Sequence, residues 1–155
     1  MKVFPSIDDQ ISAMKAAYPD LRVVARERDT AWWRGPVRPF MRTYAIEIAY
    51  RVPLVVERLD LIRLQPRVRV LSPVLKSRQG DPEGDLPHVY ASGDQILLCL
   101  FDPDTREWAP CDLLSETTVP YATDWLACYE GWRATGEWTG GGRHPQPLDN
   151  AEIAS

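Results

Sequence analysis

The segment Thr43–Arg51, TYAIEIAYR, constrains the fold of this chain more than any other. Tyr44, Ile46, Ile48 and Tyr50 alternate with smaller or charged residues, the period of a strand with one buried face. Arg67–Leu71 (RVRVL) alternates in the same way and points Val68 and Val70 inward. Upstream, Leu21–Glu27 is strand-like, and Asp29-Thr30 makes a turn. Ala31–Gly35 begins a further strand in which Trp32 and Trp33 face opposite sides. Strands of this kind joined by short turns predict an antiparallel meander of about four strands.

Helices flank it. Ser6 is a suitable N-cap, Asp8 and Asp9 suit a first turn, and Ile7, Ile11, Met14 and Tyr18 share one face, so a helix is predicted up to Pro19. A second helix is predicted over Val119–Thr135, capped by Thr118 and ended by Gly136. Its stripe Tyr121, Trp125, Leu126, Tyr129 and Trp132 has the spacing of a core face. Val52–Leu64 can hold a helical turn, and Arg78–Asp85 (RQGDPEGD) reads as an exposed loop. Residues 1–139 are expected to form the domain, and the Gly- and Pro-rich residues 140–155 a disordered tail.

Composition narrows the function classes. At 155 residues the chain is long enough for one real core, and 45% of it is hydrophobic. A net charge of −4 gives no electrostatic support to nucleic-acid binding. No apolar run approaches the ~20 residues that span a bilayer, and no secretory signal opens the chain, so a cytoplasmic protein is expected. Three Cys without a signal read as reduced thiols. With no Cys-x-x-Cys and two His, neither a metal site nor a cofactor is implied.

The chemistry concentrates in Leu86–Leu114, LPHVYASGDQILLCLFDPDTREWAPCDLL. A Pro-flanked loop with His88 precedes an apolar, strand-like run, Gln95–Phe101, that contains Cys99. An acidic turn, Asp102–Glu107, leads to Trp108-Ala109-Pro110 and Cys111. A thiol between a polar loop and a turn suits a nucleophile. Partial solvent access is expected for Cys99, with His88 in direct or water-mediated contact. Cys111 is expected to pack, and Cys128, mid-helix, to be buried.

This order resembles the active-site segment of ubiquitin-conjugating enzymes, in which a His-Pro-Asn loop precedes Ile-Cys-Leu and Trp-Ser-Pro follows. The matching pieces are Pro87-His88-Val89-Tyr90, Leu98-Cys99-Leu100 and Trp108-Ala109-Pro110. Trp33-Arg34-Gly35-Pro36 and Gln65-Pro66-Arg67-Val68 extend the resemblance, which covers residues 5–140. Leu-Cys-Leu and the Trp-rich last helix are closest to the prokaryotic members found in cyclic-oligonucleotide antiphage signalling (CBASS) operons. The resemblance implies an α+β ubiquitin-conjugating-like fold: N-terminal helix, four-stranded antiparallel meander, active-site loop, C-terminal helix. It implies a transferase that holds the C-terminus of a partner protein as a Cys99 thioester and passes it to an amine. The implied partner is a cGAS/DncV-like nucleotidyltransferase, with a separate activating enzyme supplying the activated acyl group.

One departure bears on mechanism. The family assigns its oxyanion donor to the Asn of His-Pro-Asn, and the only Asn here is Asn150. Candidate donors or orienting groups are His88, Tyr90, Ser92 and backbone N–H groups. A cysteine protease is disfavoured, because neither papain-like nor caspase-like residues surround Cys99. The alternative is a non-catalytic scaffold or binding module with the same fold. The missing Asn favours it, and Cys99 within Leu-Cys-Leu opposes it.

Overall fold

Ser6 starts the first helix as its chemistry dictates. Its hydroxyl accepts from the Asp9 N–H (3.0 Å), and the Asp9 carboxylate accepts from the Ser6 N–H (2.9 Å), so two otherwise orphaned donors are satisfied. In the computed structural model, which describes residues 4–53, 64–78, 86–101 and 107–138, this helix α1 spans Ile7–Ala17. Ile7 and Met14 are buried, and Ile11 and Tyr18 pack partly against the core. Gln10 is also buried, although nothing in its polarity marks it for the core. The helix closes at Tyr18, because a residue before proline is steered away from helical geometry.

The meander forms as the alternation predicts. Strands β1 (Arg22–Glu27), β2 (Thr30–Val37), β3 (Tyr44–Arg51) and β4 (Arg67–Ser72) pair antiparallel in the order β1-β2-β3-β4. β1 is exposed along its whole length, as an edge strand whose charged side chains discourage pairing with other chains. On the inner face, register places Trp33 beside Ile48 and Ile48 beside Val68, all fully buried. On the outer face, the same register aligns Arg34, Glu47 and Arg69, and Glu47 accepts from Arg34 (2.7 Å) and Arg69 (2.8 Å). The Arg69 hydrogen bond, with Arg34 adding to it, holds the Glu47 carboxyl below the usual range.

Gly35 explains one part of the sequence resemblance. A Cβ there would overlap the Asp20 carbonyl oxygen and crowd Leu21, so only glycine lets α1's exit cross β2 at this distance. Gly35→Ala is expected to cost about 1–3 kcal/mol, read by urea unfolding, through forced backbone displacement.

The last helix, α2, spans Thr118–Thr135 and buries Val119, Ala122, Trp125, Leu126, Tyr129 and Trp132 against the meander's inner face. Tyr129 meets Tyr44 of β3 edge-on at 6.4 Å. Two details differ from the sequence expectation. Thr117, not Thr118, is the N-cap, and Thr118 is fully buried in the first turn. The turns over 113–117 already run close to helical, and Thr117 donates its hydroxyl to the Leu113 carbonyl (2.9 Å) instead of capping. Tyr121 leaves the buried stripe and packs against Phe101 at 5.1 Å with the rings tilted by 35°. Gly136 ends α2 with φ of 82°, as a C-terminal glycine should. Most of the Val52–Leu64 and Arg78–Asp85 segments, the acidic turn at 102–106 and the tail at 140–155 lie outside the described residues.

Candidate active site

The stretch read as a His-containing loop is shorter than expected. Val89–Ser92 forms a strand, β5, paired antiparallel with β6 (Gln95–Leu98). The connection is a two-residue turn, Gly93-Asp94, and Gly93 carries the positive φ (62°) that such tight hairpin turns require. β6 lies beside β4, and the hairpin forms a two-stranded sheet of its own. Its inward residues Leu98 and Val89 join the main core.

Cys99 follows directly on β6, where the hairpin opens. Its N–H donates to the His88 carbonyl (2.9 Å), adding one rung beyond the last paired residues. The same carbonyl accepts from the indole N–H of Trp125 (2.9 Å), so helix α2 anchors the open end of the hairpin. His88 holds φ of 55°, the left-handed region that side-chain-bearing residues seldom occupy. Its ring lies on Trp138 at 4.8 Å, and Trp138 meets Trp125 edge-on at 5.1 Å. Trp125 itself stacks on Tyr129 at 5.7 Å with planes 11° apart. A left-handed residue, two indoles and one shared carbonyl therefore fix where the Cys99 backbone sits.

Of the other candidates, Tyr90 comes to Cys99 and Ser92 does not. Tyr90 pairs with Leu97, which puts it on the same hairpin face as Cys99, one diagonal step away. Burial pushes the Tyr90 phenol up, charge on Cys99 pushes it the same way, and Arg67 of β4 opposes them. The raised pKa keeps the phenol protonated on the Cys99 face of the hairpin. Ser92 pairs with Gln95 at the turn, about 13 Å along the strand from Cys99 at strand spacing. Arg67 was not legible as a site residue, because an exposed arginine opening a strand has no distinguishing pattern.

The three thiols separate by environment. Cys99 is half-buried, between the buried side chains of Leu98 and Leu100. Cys111 is exposed, contrary to the expectation that it packs, because the turn after Pro110 directs it outward. Cys128 is half-buried and not fully enclosed, since it stands beside the Trp125–Tyr129 stripe and not within it. Burial pushes the Cys128 thiol up, with the Asp124 charge adding to it, which reduces its thiolate fraction.

Trp-Ala-Pro has a structural role. Trp108 is buried against Tyr50 (5.7 Å, edge-on) and Phe101 (6.4 Å). The Ala109 N–H donates to the Asp112 carboxylate (2.8 Å), and the Asp112 N–H donates back to the Ala109 carbonyl (2.9 Å). Gln10 then ties this turn to α1: it donates to the Asp112 carbonyl (2.9 Å) and accepts from the Leu114 N–H (3.0 Å). Gln10 falls between Ile7 and Met14 at helical spacing, the one signal that could have placed it inside. Gln10→Leu is expected to cost about 2–3 kcal/mol by chemical denaturation, because buried backbone groups lose their partners.

A family model for the type II CBASS E2 protein matches residues 10–145, nearly the whole of the described fold. The chain belongs to the type II CBASS E2 proteins. No match is found among curated proteins. The resemblance read from Leu98-Cys99-Leu100 and Trp108-Ala109-Pro110 thus holds at the level of the family, as does the α+β E2-like fold. Membership gives this CBASS E2 protein an E2-like role in bacterial antiviral defence and implies a partner within the CBASS operon. Among the described residues, no helix is long and apolar enough to cross a membrane.

The buried tyrosines of this E2 protein predict an alkaline limit to its stability. Tyr50 is pushed up by burial, with the Asp112 and Cys111 charges adding to it, and Tyr90 is also pushed up, chiefly by burial. Folded values above the unfolded one mean stabilisation that is complete below about pH 10 and lost as pH rises towards the folded values. Urea unfolding between pH 8 and pH 11, on the order of that range, should show stability falling only at the alkaline end. Tyrosine ionisation followed by ultraviolet absorbance should lag behind that of the unfolded chain.

Proposed function

We propose that Cys99 carries the C-terminal acyl group of a partner protein as a thioester and passes it to an amine. The partner we assign is a cGAS/DncV-like nucleotidyltransferase of the same operon, with activation supplied by a separate activating enzyme. The carrying observation is the placement of Cys99: a half-buried thiol whose backbone is pinned to His88, with the Tyr90 hydroxyl on the same face.

Two steps follow. The Cys99 thiolate attacks the activated acyl carbon, and the donor's leaving group departs through a tetrahedral intermediate. An amine then attacks the thioester carbonyl, the Cys99 thiolate leaves, and the amine nitrogen gives up a proton as the amide forms. Each intermediate places negative charge on the former carbonyl oxygen, which needs a donor nearby. Tyr90 is the donor we assign, in place of the missing Asn. His88 is a positioning residue: its carbonyl holds the Cys99 N–H and its ring rests on Trp138.

The test is adduct formation. Incubated with the nucleotidyltransferase, activating enzyme and ATP, the protein should form an adduct that added thiol cleaves. Cys99→Ala should abolish it, whereas Cys111→Ala and Cys128→Ala should retain it. His88→Ala should lower the melting temperature while changing the rate per folded molecule little, because the carbonyl remains. An adduct that persists in Cys99→Ala would remove the assignment.

A further inference from the structure

We propose that the groove at the far end of the meander is a docking site for an acidic peptide segment of a partner protein, separate from the thioester site. The groove holds about 540 Å³, within the range of clefts that enclose ligands, and lies between the residues after β4, the residues before β3 and the C-terminal half of α2. Arg67, whose charge acts on Tyr90, opens β4, whereas Pro73, Val74 and Lys76, which line the groove, follow the opposite end of that strand. The two sites have different linings but share the aromatic face of α2: Tyr129, which lines the groove, stacks on Trp125, whose indole N–H holds the His88 carbonyl beside Cys99. The inference does not depend on what Cys99 does.

Charge and apolarity together specify the occupant. The chain is net acidic at −4, yet the groove carries Arg42, Lys76 and Arg133 against a single acid, Glu130. Glu130 already accepts a hydrogen bond from the Tyr44 hydroxyl (3.1 Å). Arg133 donates to the Ser77 carbonyl and offsets the negative end of the α2 dipole, with the Arg78 guanidinium lying over Gly136. Arg42 and Lys76 form no ion pair among the described residues and are both exposed.

Beside these cations, Met41 is 88% exposed and Val74 75% exposed, and Phe40 adds a third exposed apolar side chain nearby. Two unspent cations flanking an apolar cleft fit carboxylates that bracket an apolar side chain. A phosphodiester backbone would satisfy the cations and leave the Met41–Pro73–Val74 wall exposed.

Fluorescence anisotropy on the full chain tests this. The probe is a fluorescein-labelled 12-residue peptide of Asp, Glu and Ser with a central Leu, and the companion probes replace that Leu with Ser or the acids with Asn and Gln. Saturable binding of the Leu peptide that weakens with salt is expected, with the companions weaker by about tenfold or more. Arg42→Glu and Lys76→Glu should each weaken it comparably while thermal unfolding stays unchanged, since both side chains are exposed. Absence of binding at low salt, equal binding of the Leu-free peptide, or binding unmoved by both variants would overturn the proposal. So would tighter binding of a 12-nucleotide oligothymidine, which would make the groove a nucleic-acid site.

Discussion

Tyr90→Phe should slow acyl transfer by about 10²–10³-fold while the protein stays folded, the usual loss when one oxyanion donor is removed. Phenylalanine keeps the ring that covers the hairpin face and deletes only the hydroxyl. The hydroxyl is suited to the task because burial and the neighbouring Cys99 both push its pKa up, so it remains protonated when charge develops beside it. Arg67 opposes that shift as the smallest of the three contributions. Arg67→Gln should therefore change the rate less than Tyr90→Phe, in a direction that a pH–rate profile reveals. Single-turnover discharge of the thioester to a free amine reads both variants without interference from the loading step.

Trp125→Ala should be the most damaging change to the fold, costing about 3–5 kcal/mol as expected for a fully buried tryptophan. The indole does three things at once. It fills the core between α2 and the meander, stacks on Tyr129, and donates to the carbonyl that also holds Cys99. Trp125→Phe separates these. It keeps most of the packing but leaves the His88 carbonyl with one donor fewer, for a loss of about 1–2 kcal/mol. In that variant, native-state alkylation of Cys99 should accelerate relative to Cys128, because the open end of the hairpin has lost its tie to α2. Urea denaturation and timed thiol labelling measure the two effects separately.

The meander was legible because period-two alternation has few other solutions, and Thr43–Arg51 shows it without a break. The first helix was equally legible from Ser6, the two aspartates and Pro19, all local signals that tertiary packing reinforces. The hairpin was harder. Val89–Ser92 is four residues long, too short for alternation to register, and it exists because Gln95–Leu98 pairs with it across Gly93-Asp94. That two-residue turn between two apolar runs was the available signal.

Of the candidates that the sequence raised, Cys99, His88 and Tyr90 lie together at the open end of the hairpin, and Ser92 lies at its turn. Arg67 and Gln10 escaped, because their roles come from strand order and helix packing, which no local pattern encodes. The environments of Cys111 and Cys128 were misjudged for a related reason. Exposure in a turn depends on where the turn points, and a position flanking a helix stripe is decided by what packs beside it.

Trapping at position 99 tests the central claim most directly. A Cys99→Ser protein, incubated with the nucleotidyltransferase, activating enzyme and ATP, offers a poorer nucleophile whose oxyester, once formed, withstands reductant. Intact-mass and tandem mass spectrometry should find a reductant-stable adduct linked through position 99, where the Cys99 protein gives a reductant-labile one. If neither protein forms an adduct at that position, and Cys99→Ala still supports antiviral defence in cells, Cys99 does not carry the acyl group. The fold then serves its operon as a binding scaffold.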